Sequence, residues 1–296
     1  MSEKFDVPFK SDLVPTILDP NAEIQFRCHK GISCFNACCK HADIQLTPYD
    51  IIRLKDGLGL SGTEVLKQHT VPFEMDKDGM PGVKLRTDDD GACLFVTDEG
   101  CSVYADRPTA CRYYPVGHMA VHMAGTTEDE TRFFLVKEDH CKGHEEDRSI
   151  TISDYRKEQQ VEQYDHINKE WMQLILKKKS AGPTIGRPSD TSLQFFFMCA
   201  YDIDRFRRYV LSDAFRASYD LEESFYETME KEDVALMQFG ARLLKQVLFG
   251  DQTIPEKGGA AEKRLEERRE LLELRRKAEI ELHEQKKEQD MKDAMS

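Results

Sequence analysis

No stretch of this sequence approaches the ~20 consecutive apolar residues that a membrane-spanning helix needs. Charges interrupt the first residues, Met1 to Val14, wherever a secretory leader would require an apolar run. The chain is therefore expected to work in the cytoplasm, without a membrane. It also lacks an excess of positive charge: 42 Lys and Arg stand against 55 Asp and Glu, a net charge of -13. That balance repels phosphate backbones, so nucleic acid is not an expected partner. Missing too are a Walker loop, a G-x-G-x-x-G turn and a G-x-S-x-G elbow, which removes the usual grounds for nucleotide hydrolysis, dinucleotide redox chemistry and serine hydrolysis. No internal repeat is visible.

What the sequence does have is cysteine. Nine occur in 296 residues, and eight of them lie between positions 28 and 141: Cys28, Cys34, Cys38, Cys39, Cys93, Cys101, Cys111 and Cys141. Cytosolic thiol pools keep structural disulfides reduced, so such a cluster points to metal ligation. The ninth, Cys199, follows Phe195-Phe-Phe-Met in an apolar run and reads as a core thiol.

The periodicities predict an α+β protein: a small, irregular, cysteine-rich unit held by metal, with a few short strands and helices, followed by a helical region and a charged helical tail. Residues 1–25 contain Pro8, Pro15 and Pro20 and no sustained period, as an extended arm would. Residues 26–150 form the expected metal-binding unit. Within it, Thr47-Pro48 begins a short helix running to Gly57, and Ser61-Gly-Thr-Glu64 caps a second that ends near His69. Short strands are expected at 83–86, 92–96 and 132–136, between Asp/Gly-rich turns. One long helix is expected over 151–179, carrying Tyr155, Val161, Tyr164, Ile167, Trp171, Leu174 and Ile175 on its apolar positions. Residues 180–190 have linker composition, and 191–250 suit several packed helices. The tail, 251–296, is rich in charge; Leu265 and Leu272 start a heptad that fails at Glu279, so a solvated helix is expected, available to a protein partner.

Eight thiols make two sets of four. Zinc and iron–sulfur clusters both take thiolate ligands, because sulfur is soft and anionic. The count accommodates two four-thiolate zinc sites, one such site with further cysteines, or a four-ligand cluster with supporting thiols. Cys38 and Cys39 are adjacent, so an extended backbone would point one to each of two sites and a turn would bring both to one. The spacings are C-x5-C-x3-C-C, then C-x7-C-x9-C, then Cys141. Absent throughout is C-x2-C, the knuckle by which zinc ribbons present two thiolates to one ion, and this inclines the reading toward iron–sulfur. Arg107 and Arg112 bracket Cys111 and are candidate donors to the negatively charged centre; the competing role for Arg107 is an ion pair with Asp106. His29, His118, His122, His140 and His144 lie near cysteines in sequence, with His140-Cys141-x2-His144 the best placed to lend a nitrogen.

Phe26-Arg-Cys28 through Cys38-Cys39, Ile44-Gln-Leu46-Thr-Pro-Tyr-Asp50-Ile-Ile-Arg53-Leu54, Cys93-Leu-Phe, Cys101-Ser-Val-Tyr104, Arg107-Pro108, Cys111-Arg112 and Tyr114-Pro115 together resemble the bacterial YkgJ-type cysteine-cluster family of zinc- or iron-chelating domains. The resemblance covers about residues 26–145 and implies a metal site of eight cysteines. It departs at the x5 gap between Cys28 and Cys34, where the family more often has a tighter spacing with glycine beside the second cysteine; here Phe35 follows Cys34. Flagellin lysine methylases carry a similar segment, which keeps an enzyme reading open, although no S-adenosylmethionine site is evident. The expected function is thus metal binding, with redox or metal handling ahead of catalysis or partner binding.

Overall fold

The computed structural model describes residues 17–40, 42–122, 129–180 and 188–259, together with four single positions in the tail, Glu266, Arg269, Glu273 and Lys277, which are helical and exposed. The chain is α+β. Most of the expected arm, the 181–187 stretch of the expected linker and most of the expected tail lie outside the described residues; the tail's described start, residues 251–259, is not helical as expected but irregular, with Ile254 buried in the larger core.

The first strand, β1 (Glu23–Gln25), is the arm's last segment. Helix α1 (Pro48–Leu58) starts at Thr47, whose hydroxyl accepts the Asp50 N–H while the Asp50 carboxylate accepts the Thr47 N–H; it ends at Gly59, in the left-handed conformation. Helix α2 (Gly62–His69) repeats the device with Ser61 and Glu64. Both helices were legible from these caps. Next come β2 (Thr70–Glu74) and β3 (Pro81–Leu85), paired antiparallel from Thr70↔Leu85 to Glu74↔Pro81, then the short β4 (Val96–Thr97) and β5 (Gly100–Cys101). A five-residue helix, α3 (Thr109–Tyr113), precedes the hairpin β6 (Val116–His122) and β7 (Asp129–Leu135). Strand β8 (Ser149–Thr151) returns to pair with β1.

Two expectations are corrected here. Residues 92–95 are not a strand: Cys93 makes only an isolated bridge to Thr87, because its N–H donates to the Cys39 carbonyl at 2.8 Å instead of extending a ladder. The single helix expected over 151–179 is two, α4 (Ile152–Glu158) and α5 (Val161–Ser180), broken at Gln160, whose φ of +58° lies in the left-handed region. The break has a tertiary cause. The Gln159 carbonyl accepts from Arg112 at 3.0 Å and the Gln159 side chain from Arg107 at 2.5 Å.

Helices α6 (Asp190–Ala200), α7 (Ile203–Val210), α8 (Asp213–Ser218), α9 (Glu223–Lys231) and α10 (Asp233–Phe249) complete the described chain. Helix α5 buries Val161, Tyr164, Asn168, Trp171 and Leu174 at helical spacing, and places Lys177, Lys178 and Lys179 in its last turn, where the helix dipole favours cations. Two apolar cores result. The larger joins Ile51, Leu54, Val83, Phe95 and Val103 to Trp171, Phe206, Leu236 and Leu244, so it draws on both sides of residue 150. The smaller gathers Ile24, Phe26, Tyr113, Val116, Phe133, Ile152 and Tyr155 beneath the β1–β8 pair.

Candidate metal centre

The first cysteine loop is pinned at its entrance. Phe26 N–H donates to the Arg148 carbonyl and Arg27 N–H to the Gly143 carbonyl, each at 3.0 Å, while the Phe26 ring is buried in the smaller core. This brings Cys28 to the segment carrying Cys141. The loop then winds through consecutive turns, with Phe35 N–H on the Ile32 carbonyl, Ala37 N–H on Cys34 and Cys39 N–H on Asn36. Asn36 takes a left-handed φ of 66°, and residues Ala37–Cys39 form a single 3-10 turn. Cys38 and Cys39 therefore leave a turn, not an extended strand. The Lys142 N–H points at the Cys34 sulfur at 3.2 Å, and the Cys39 carbonyl holds the second loop through Cys93. Cys101 lies on β5 opposite Val96, and Cys111 lies on α3.

The electrostatics show which thiols share a neighbourhood. Burial, then the proximity of Cys38, Cys34 and Cys141, pushes the Cys28 thiol up to about 11. Burial raises Cys111 strongly, with Cys93, Asp50, Cys101 and Cys38 adding to it. Cys93 and Cys101 are raised by burial and feel each other or Cys38; backbone N–H groups of Phe95 and Val96 at Cys93, and of Val103 at Cys101, oppose the rise. Cys38 is lowered to about 7 by a hydrogen bond from Cys39, whose own proton is held correspondingly firmly. The eight thus divide into Cys28, Cys34 and Cys141 on one side and Cys39, Cys93, Cys101 and Cys111 on the other. Cys38 reaches both.

Among the described residues, no three His, Cys, Asp or Glu side chains converge closely enough to hold one ion as they stand. Neutral thiols have no charge to share, and ligation requires loss of their protons. In donor chemistry the set fits a thiolate-bound metal: eight sulfurs, none in a disulfide, with backbone N–H groups directed at Cys34, Cys93 and Cys101.

The arginines behave differently from the sequence reading. Arg107 donates to the Tyr104 carbonyl at 2.7 Å and to Gln159, and stacks on the Tyr104 ring; Arg112 donates to the carbonyls of Ala105, Arg107 and Gln159 and lies over the Tyr164 ring. Their hydrogen bonds go to carbonyl and amide oxygen, and Arg107 reaches sulfur only through its field at Cys101 and Cys111. Asp106 pairs with Arg53 instead of Arg107. The histidines are engaged as well: His29 with Glu146 at 3.1 Å, His140 with Glu138 at 3.6 Å, His144 with the Val136 carbonyl at 3.2 Å, and His118 stacked on Tyr113. The side chain of His122 lies outside the described residues. Cys199 is buried, as its apolar run predicts. Two groups that sequence spacing did not single out are Asp50, beside Cys111, and Tyr114, whose hydroxyl lies beside Glu138 and Cys141.

Residues 27–142 match the model of the CxxCxxCC family, described as a "putative zinc- or iron-chelating domain". The matched segment resembles a CxxCxxCC domain. All eight clustered cysteines fall inside it, and its first four depart from the spacing in the family's name by having five and three intervening residues in place of two and two. No curated protein and no solved structure matches the chain.

Proposed function

We propose that the eight thiols of the CxxCxxCC domain hold an iron–sulfur centre in a cytosolic protein that handles metal or electrons, with zinc as the competing occupant. The observation carrying this reading is the set of backbone N–H groups directed at sulfur, from Lys142 to Cys34, from Phe95 and Val96 to Cys93, and from Val103 to Cys101. Such donors stabilise thiolate over thiol, and hydrogen bonds to sulfur are one of the levers that tune a cluster's potential. The division of the thiols about Cys38 and Cys39 supports a centre with two parts. An occupied centre would supply electron transfer or structural cross-linking; the chain's own residues supply the ligands, the N–H donors and the packing that holds the loops.

Two depressions on the described surface, of about 400 and 490 Å3, are lined by residues such as His166, Phe225 and Arg242 in one and Phe73, Leu193 and Arg205 in the other. Neither contains a thiol, so they lend no support to catalysis at the metal.

Anaerobic purification with elemental analysis and an absorption spectrum tests the proposal. Broad absorption near ~400 nm with stoichiometric iron and sulfide is the expected result. A colourless protein with stoichiometric zinc would reject the iron–sulfur assignment, and a protein without metal under both iron and zinc supply would reject metal binding.

A further inference from the structure

Asp50 is the most deeply buried charged side chain of the α1 region, with 0% of its surface exposed. A helix-capping carboxylate has no need of that depth. The same chain provides the comparison: α2 begins with an identical box, in which Glu64 accepts the Ser61 N–H at 2.8 Å while remaining exposed. Asp50 does the capping with Oδ2, which accepts the Thr47 N–H at 2.8 Å. Its Oδ1 faces the other way and accepts both the Thr109 N–H at 2.8 Å and the Thr109 hydroxyl at 2.7 Å. Thr109 is the first residue of α3, is itself buried, and lies two positions before Cys111.

We infer that Asp50 is a positioning residue for the metal centre: one carboxylate bolts the start of α3, and with it Cys111, to the start of α1. The bond lies inside the protein, where a lost partner leaves a buried donor unsatisfied. Helix α3 is too short to hold its own place, having a single turn. Its far side is fixed by Arg112, through the carbonyls of Ala105, Arg107 and Gln159, so Cys111 sits between two anchors that belong to other elements. Helix α1 in turn packs on α5 and α10 through the larger core. Asp50 is therefore the link by which the C-terminal helices set the place of a thiol. Asparagine cannot replace it, since an amide offers one acceptor oxygen where donors approach from two directions.

The inference rests on the metal-centre reading, yet its decisive test needs no metal. The full chain, stripped of metal with a chelator, is treated with iodoacetamide, and alkylation is followed at each cysteine by mass spectrometry, with buried Cys199 as the internal reporter of folding. In Asp50→Asn, Cys111 should react roughly ten- to hundredfold faster than in the wild type, the range expected when a buried donor is left unsatisfied, while Cys199 stays protected. Thr47→Ala, which removes the capping hydroxyl of α1 but keeps the N–H that Asp50 accepts, should lower the melting temperature and leave Cys111 at the wild-type rate. Thr109→Val keeps Asp50 and removes one donor, and should raise the Cys111 rate less than Asp50→Asn; it decides the matter if Asp50→Asn exposes Cys199. Wild-type rates at Cys111 in both Asp50→Asn and Thr109→Val, or an equal rise under Thr47→Ala, would overturn the positioning role. In a parallel arm, iron and zinc content are measured. A wild type that takes up neither rejects the metal reading alone, whereas a wild type with metal and an Asp50→Asn variant with the same content, spectrum and Cys111 rate rejects the positioning role alone.

Discussion

At the scale of the residue, burial decides the character of most titratable groups here. Cys93, Cys101 and Cys111 are all raised first by burial, so the metal-free thiols of the second set hold their protons near neutrality, and metal must displace them. Histidines respond to the same cause in the opposite sense. His69 is lowered by burial and by the nearby Arg86, and its Nδ1 is buried without a hydrogen-bond partner; His118 and His144 are also lowered, burial first. A histidine held neutral in the fold contributes fully above its unfolded value of about 6.5, and that contribution is lost as pH falls through and below it. The metal-free protein should accordingly lose stability between pH 7.5 and 5.5, and His69→Gln should lose less over the same interval. Urea midpoints at the two pH values measure this; identical pH dependence in the two proteins would remove His69 from the account.

At the scale of the element, close approach matters as much as periodicity. Gly240 lies within α10, where glycine weakens a helix by about 1 kcal/mol relative to alanine. A Cβ there would meet the Cys199 carbonyl oxygen at 2.5 Å and the Phe206 ring at 3.1 Å. The first of these is backbone at the end of α6 and cannot move without shifting the helix. Gly240→Ala should therefore destabilise the protein by about 1–3 kcal/mol despite its better helix propensity, as read by chemical denaturation. A gain in stability would show that α6 and α10 have room to separate. The break between α4 and α5 illustrates the same point: Tyr155, Val161 and Tyr164 are all buried, yet two arginines on the preceding loop and on α3 take hold of Gln159 and the chain turns.

For the whole molecule, the larger core is the main constraint. Ile51 and Leu54 of α1, 1% and 0% exposed, pack in the same cluster as Leu236, Leu243 and Leu244 of α10. A fragment of residues 17–150 would expose that face of α1 to water. It should give poorly dispersed amide spectra and no cooperative thermal transition even with iron or zinc supplied, while the full chain melts cooperatively. A well-dispersed, cooperatively melting fragment would show that the cysteine-rich segment stands by itself. No helix among the described residues is long and apolar enough to cross a membrane.

The sequence by itself determined what depends on neighbours along the chain. The cap at Thr47, the capping box of Ser61 with Glu64, the α+β class and the family resemblance of residues 27–142 were all legible, because capping and cysteine spacing are local facts. Spacing also singled out the eight thiols, but it left open how Cys38 and Cys39 are presented. Tertiary structure decided that, by placing them in a 3-10 turn between two groups of thiols. It likewise turned Arg107 and Arg112 from expected sulfur donors into clamps on Gln159, and gave Asp50 a second task 59 residues away. The physical reason is common to all three: a buried carbonyl, guanidinium or carboxylate takes the partner that folding brings within hydrogen-bond distance, and residues remote in sequence supply it.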